Sequence, residues 1–160
     1  YTIEDIEFRI IRDYLLNKPK YKKIMFELFK KHSFNYKKII PNLFLTKKNI
    51  IDINKKGHEI GLHSHSHPTT LDEMKYEYQR KEYNLNKLKL DKILNTSSVI
   101  SMSHPCGMYS QTTLKILKKL NISLGFRDNM VVENKMKKIN PSSLEIARQD
   151  HSNIINFLKL

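Results

Sequence analysis

Gly57-His58-Glu59-Ile60-Gly61-Leu62-His63-Ser64-His65-Ser66-His67-Pro68 is the stretch on which the reading of this chain turns. Residues 58–62 have the length and character of a short strand. They deliver the chain into three imidazoles, His63, His65 and His67, alternating with two serines. Neutral imidazole is the commonest nitrogen ligand for metals. His63 and His67 stand four apart, which on a helix would put both on one face, as in the His-Glu-x-x-His zinc sites. Two features reject the helical version. Pro68 disfavours helical geometry at His67, and the His-Glu pair at His58-Glu59 lies too far ahead of His63 for that motif. The histidines belong instead to a loop leaving a strand end and entering a helix, where α/β folds place their sites. A polar loop that merely caps the next helix is the competing account. Three histidines behind an apolar strand and ahead of a proline favour metal binding or catalysis over it.

Working outward, Thr70 and Glu73 have capping-box spacing and predict a long helix to about Leu94. A strand over residues 99–102 runs into Pro105-Cys106-Gly107. Ser110 offers a cap for a helix whose Leu114, Leu117 and Leu120 face the core and which ends near Asn121. Further strands are expected over residues 122–126 and 144–147. Upstream, residues 3–16 read as an amphipathic helix with Ile3, Ile6, Ile10 and Leu15 or Leu16 on one face. Pro19 separates it from a second helix over about residues 21–32, where Ile24, Phe26, Leu28 and Phe29 are the apolar candidates. Residues 33–44 resist assignment because Pro41 breaks any long helix there. Thr46 then caps a short helix through Lys56, and Gly57 stops it. Strand and helix alternate in the second half, which argues for α/β architecture with parallel strands.

The 160 residues suit one domain, and 39% apolar content can build one core. No apolar run approaches the roughly 18 residues of a membrane span. Nothing at the start reads as a signal peptide, which leaves localisation open with a cytoplasmic placement slightly preferred over an envelope-associated one. A lone cysteine, Cys106, excludes an intrachain disulfide framework and a multi-cysteine zinc ribbon. The formal charge of +13 invites a nucleic-acid reading. Its carriers, however, are mostly lysine pairs such as Lys22-Lys23, Lys55-Lys56 and Lys118-Lys119, spread along the whole chain. Arginine, the better reader of phosphate and bases, appears only at positions 9, 12, 80, 127 and 148. Solvated lysine faces are the preferred explanation, and nucleic acid is not a favoured partner.

The quoted stretch resembles the second motif of the polysaccharide deacetylases, the NodB-type carbohydrate esterases, which is His-Ser/Thr-x-x-His-Pro after a Gly-His-Glu-Ile-Gly strand. The resemblance implies an α/β fold of the family's (β/α) barrel type, here incomplete or distorted. It also implies a divalent metal, zinc by preference, held by His63 and His67, with His65 at a variable, orienting position. Ser103-His104-Pro105-Cys106-Gly107-Met108-Tyr109 resembles the third motif, Arg-x-Pro-aromatic-Gly. His104 before the proline and Cys106 in the aromatic slot depart from its common form. His65, His104, Pro105, Cys106 and Gly107 are thereby expected to line the substrate cleft. Leu144-Glu145-Ile146-Ala147-Arg148-Gln149-Asp150-His151 resembles the late strand that carries an arginine. By that likeness Arg148 orients a base and His151 protonates the leaving amine. An edge-strand arginine and a helix-capping histidine are equally good accounts of those two residues. The clearest resemblance covers residues 44–155 of a single domain, 1–160, with residues 1–43 a helical segment.

The resemblance implies a hydrolase that removes an N-acetyl or other acyl group from an amino sugar in a polysaccharide or surface glycan. A divalent ion lowers the pKa of bound water and polarises the carbonyl, while carboxylates complete the ligand set and act as base. In the family these come from a Thr-Phe-Asp-Asp motif on the first strand, well before the histidines, and that motif is missing here. The nearest acidic pair, Glu4-Asp5, sits in a helical pattern. The expectation is therefore a chain that starts downstream of the first strand and is weakly active or inactive. Two other classes compete: a non-catalytic basic module for anionic glycan, membrane surface or nucleic acid, and a metal-binding regulatory domain using the three histidines. The oligomeric state stays open.

Overall fold

A computed structural model describes residues 2–96, 99–132 and 138–149, together with Ile154, Ile155 and Leu158. The chain divides into two compact units, Tyr1–Asn49 and Ile50–Leu160.

In the first unit, α1 spans Ile3–Ile10 and runs on into a π-helical turn, Ile11–Leu15. Thr2 and Asp5 close a reciprocal capping box at its start: each side chain accepts the other's backbone N–H at 3.2 Å. Asp5 is thus engaged as a helix cap. Helix α2, Lys18–Lys31, begins earlier than expected, with Asn17 Oδ1 accepting the Lys20 N–H. Pro19 lies inside its first turn instead of ahead of it, because first-turn residues have no intrahelical acceptor to lose. Helix α3, Tyr36–Leu43, contains Pro41 and lasts about two turns. Phe26, Phe29, Phe34 and Tyr36 stack in a cluster with ring centroids 5.1 to 6.4 Å apart. Helix α4, Lys47–Lys55, crosses the boundary of the two units. Thr46 Oγ1 accepts the Asn49 N–H at its start, and Gly57, at φ +89°, ends it in the left-handed conformation that favours glycine.

The second unit is built on parallel backbone pairing. Strands β1, Ser101–Ser103, and β2, Leu124–Phe126, pair in parallel with Met102 opposite Gly125. A single parallel bridge at Leu62 flanks β1, and another at Ile146 flanks β2. The four segments lie in the order Leu62, β1, β2, Ile146. The expected strands over 58–62 and 144–147 are therefore one bridge each, because the partner strands are only three residues long. The central strands also begin two residues later than read from sequence, at Ser101 and Leu124. Among the described residues two strands are present, which does not amount to a barrel.

Helix α6, Gln111–Lys119, joins β1 to β2 and forms the β-α-β crossover that parallel strands require. Ser110 caps it with a box shared with Thr113, and Asn121 at φ +59° follows its end. Leu114, Ile116 and Leu117 pack inward with Leu62, Tyr83, Met102, Ile122 and Leu144. Helix α5, Tyr76–Leu94, packs on α6 and ends at Asn95 in the left-handed conformation. Its start corrects the expected Thr70-Glu73 box. Thr70 makes no capping bond, Leu71–Glu73 is a separate 3-10 turn, and the helix opens after Lys75. Gln79 supplies the reason: its Nε2 donates to the carbonyls of Asp72 and Met74, holding that turn apart from the helix. Gly125 admits the last segment, since a Cβ there would lie 2.4 Å from the Leu144 carbonyl oxygen. Among the described residues no helix is long and apolar enough to cross a membrane.

Candidate metal centre

The histidine loop leaves the sheet at Leu62, whose N–H and carbonyl are both bonded to β1. Beyond it the backbone turns sharply, with Ser64 at φ +61° and His67 at φ +50°. Both are non-glycine residues in the left-handed region, a conformation that surrounding bonds must hold in place. His67 N–H donates to Ser64 Oγ at 3.1 Å, which closes the loop on itself.

That closure brings two rings together. His63 Nε2 and His67 Nε2 are 3.1 Å apart, with ring centroids at 4.8 Å. His63 Nδ1 is 2.8 Å from the Ser103 carbonyl oxygen. A carbonyl only accepts, so Nδ1 carries the proton and Nε2 presents its lone pair. This is the outer hydrogen bond that orients a metal-ligating histidine. Nitrogens that share a metal at about 2.0–2.1 Å each are separated by roughly 3.0–3.4 Å at ordinary coordination angles. The pair therefore fits as two members of a ligand set. Among the described residues no third histidine, cysteine, aspartate or glutamate joins them.

Although His63 as a residue is exposed, the protein atoms around its ring disfavour the imidazolium and hold its pKa below the ordinary value. The Ser103 carbonyl opposes that shift, while the charges of His67 and Arg148 add to it. Arg148 is thereby near enough to act on His63, and its own side chain is exposed. His65 is exposed, and its backbone N–H is held by Glu82. His151 lies outside the described residues.

His104 is 1% exposed and stacks on Tyr109 with centroids 4.3 Å apart. Its Nε2–H donates to the Leu144 carbonyl at 2.8 Å, tying the end of β1 to the last segment. Burial lowers its pKa most; the charges of His63 and Arg127 act in the same direction, against the Leu144 bond and Glu145. Pro105 is buried and opens the 3-10 turn Pro105–Gly107, in which Cys106 is exposed at φ +54°. Gly107, at φ +68°, lies under the Asp128 carboxylate, which a Cβ would meet at 2.3 Å. The buried Arg127 binds the carbonyls of Ile139 and Val131 and so organises the segment after β2. Tyr83 of α5 is wholly buried in the core.

Sequence reading missed two residues of α5. Asn86 Oδ1 accepts the His63 N–H at 2.9 Å. Glu82 is buried and accepts three bonds, from the N–H groups of His65 and Ser66 at 3.1 and 2.7 Å and from Ser66 Oγ at 2.9 Å. The available signal was the polar stripe Gln79, Glu82, Asn86 at helical spacing within the expected long helix.

An open groove of about 340 Å³ lies within the first unit, lined by Phe26, Phe29, Phe34, Tyr36 and neighbouring lysines.

Comparison with known proteins places this geometry. No curated protein matches the chain. Among solved structures it is similar to the deacetylase PplD of Streptococcus pyogenes, determined in complex with acetate, at 28% identity and a TM-score of 0.59. That likeness covers 72% of this chain and 50% of the other, so the chain spans about half the length of the structure it matches. The sequence profile of the polysaccharide deacetylases matches residues 15–125, a stretch that holds the histidine loop, β1, the Pro105–Gly107 turn and α6. With more than half of its length matched and a deacetylase-type fold around converging histidines, the chain belongs to the polysaccharide deacetylase family.

Proposed function

We propose that the chain is a metal-dependent deacetylase that removes an N-acetyl group from a sugar of a polysaccharide or surface glycan. The observation that carries this reading is the 3.1 Å convergence of His63 Nε2 and His67 Nε2, with the His63 tautomer set by Ser103, in a member of that family. The acetate bound by the S. pyogenes relative agrees with an acetyl product. His63 and His67 would hold the divalent ion, zinc by preference, which when bound supplies an activated water and polarises the acyl carbonyl. His65 and Cys106, the exposed side chain of the Pro105–Gly107 turn, line the cleft, while the buried His104 and Pro105 support that turn. Arg148, whose charge acts on His63, orients the base, and His151 donates a proton to the departing amine. The parallel segments around β1 and β2 belong to an incomplete (β/α) barrel.

Two histidines do not by themselves supply a base or complete a ligand set. Turnover is therefore expected to be slow, and metal binding is the more direct readout. Zn²⁺ or Co²⁺ should bind the chain at one ion per molecule, and His63→Ala and His67→Ala should each abolish that binding. Acetate release from an N-acetylated sugar oligomer should fall to background in chelator. Robust turnover that is lost in His63→Ala but survives metal removal would overturn the mechanism.

A further inference from the structure

The histidine loop is held almost entirely from one helix. Of its backbone N–H groups, His63 donates to Asn86, His65 and Ser66 donate to Glu82, and His67 donates back to Ser64 Oγ. Glu82 and Asn86 are four apart and so share one face of α5. The same face carries Gln79, which holds the turn after the loop through Asp72 and Met74 and accepts from Thr113 Oγ1 of α6 at 2.8 Å. A left-handed backbone at Ser64 and His67 costs on the order of 1–3 kcal/mol per residue unless its surroundings fix it. What fixes it here is a buried carboxylate reaching two consecutive N–H groups and a hydroxyl from outside the loop.

We infer that Glu82, seconded by Asn86, is the positioning residue of the metal centre: it imposes the left-handed loop that aims His63 Nε2 and His67 Nε2 at one point. Neither residue contacts the reacting atoms. Their effect passes through the backbone of His63, His65 and Ser66, as outer partners act on metal ligands. The inference rests on the metal reading of the preceding section.

The test is Co²⁺ affinity of the full chain, followed by absorption and calorimetry, beside amide exchange in the metal-free protein. Glu82→Ala should weaken Co²⁺ binding by about tenfold or more, and should speed exchange of the His65 and Ser66 amides while leaving those of Met102 and Leu117 protected. Glu82→Gln keeps a carbonyl for the two N–H groups and should recover most of the affinity. That rescue separates loop geometry from lost charge. Asn86→Ala, which removes a partly exposed acceptor, should weaken binding severalfold, and it decides the matter if Glu82→Ala does not fold. Affinities within twofold of the unsubstituted chain in the folded variants would overturn the clamp while leaving the metal reading intact. Failure of the unsubstituted chain itself to bind Co²⁺ better than His63→Ala would instead overturn the metal reading.

Discussion

The two units apply the same local rules to different ends. In Tyr1–Asn49, α1 and α2 carry side-chain caps, yet α1, α2 and α3 contribute no buried residue; Ile3 is 73% and Leu15 70% exposed. In Ile50–Leu160, Tyr83 and Leu117 are wholly buried and the strands are joined through backbone bonds. Caps and propensity specify where a helix begins and ends, whereas most of its stability comes from a buried face. The contrast teaches that the first unit holds helices by local means and the second by a core.

The largest expected effect tests that contrast directly. Leu117→Ala should lower the unfolding free energy by about 2–5 kcal/mol, while Leu15→Ala should change it by no more than about 0.5 kcal/mol. Both are read from urea midpoints, and equal losses would break the contrast. A smaller effect sharpens it. Ser110→Ala and Asn17→Ala each delete one N-cap acceptor, worth about 1 kcal/mol of helix stability. The loss at Ser110 should appear in the cooperative urea transition, because α6 is packed on the core. The loss at Asn17 should appear only as faster exchange of the Lys20 amide.

The smallest effect concerns pH. Burial holds the folded-state pKa of His104 below its unfolded value of about 6.5. Between the two values the unfolded chain binds more protons, so stability is fully present above about pH 6.5 and declines as the pH falls toward the lowered folded value. The decline from this group cannot exceed about 1.4 kcal/mol per pH unit. Urea midpoints at pH 7.5 and 5.5 should differ more in the unsubstituted chain than in His104→Gln, and identical differences would refute the assignment.

Much of this was legible in the sequence where the deciding contacts are local. The Ser110 cap, the stop at Gly57, the end of α6 near Asn121 and the histidine loop ahead of Pro68 each depend on a few adjacent residues. The Thr70-Glu73 spacing was equally local and misled. Gln79, five residues beyond Met74, draws the intervening turn to itself. Strand lengths were misjudged for a related reason: residues 58–62 have strand character, but only Leu62 finds a partner in β1. The candidate site divides in the same way. His63 and His67 were read from their likeness to the family's His-Ser/Thr-x-x-His-Pro motif, whereas Glu82 and Asn86 resemble an ordinary solvated helix face until the fold sets them against the loop.

The sequence by itself determined the Ser110 cap, the stops at Gly57 and near Asn121, the histidine motif and the family, because backbone caps, turn residues and a motif of consecutive residues act over a few positions. Tertiary structure alone decided which apolar faces are buried, how far the strands extend and which carboxylate holds the left-handed histidine loop. Those outcomes depend on hydrogen bonds and packing between residues some 17 to 40 positions apart, and no local pattern encodes the partner at the far end.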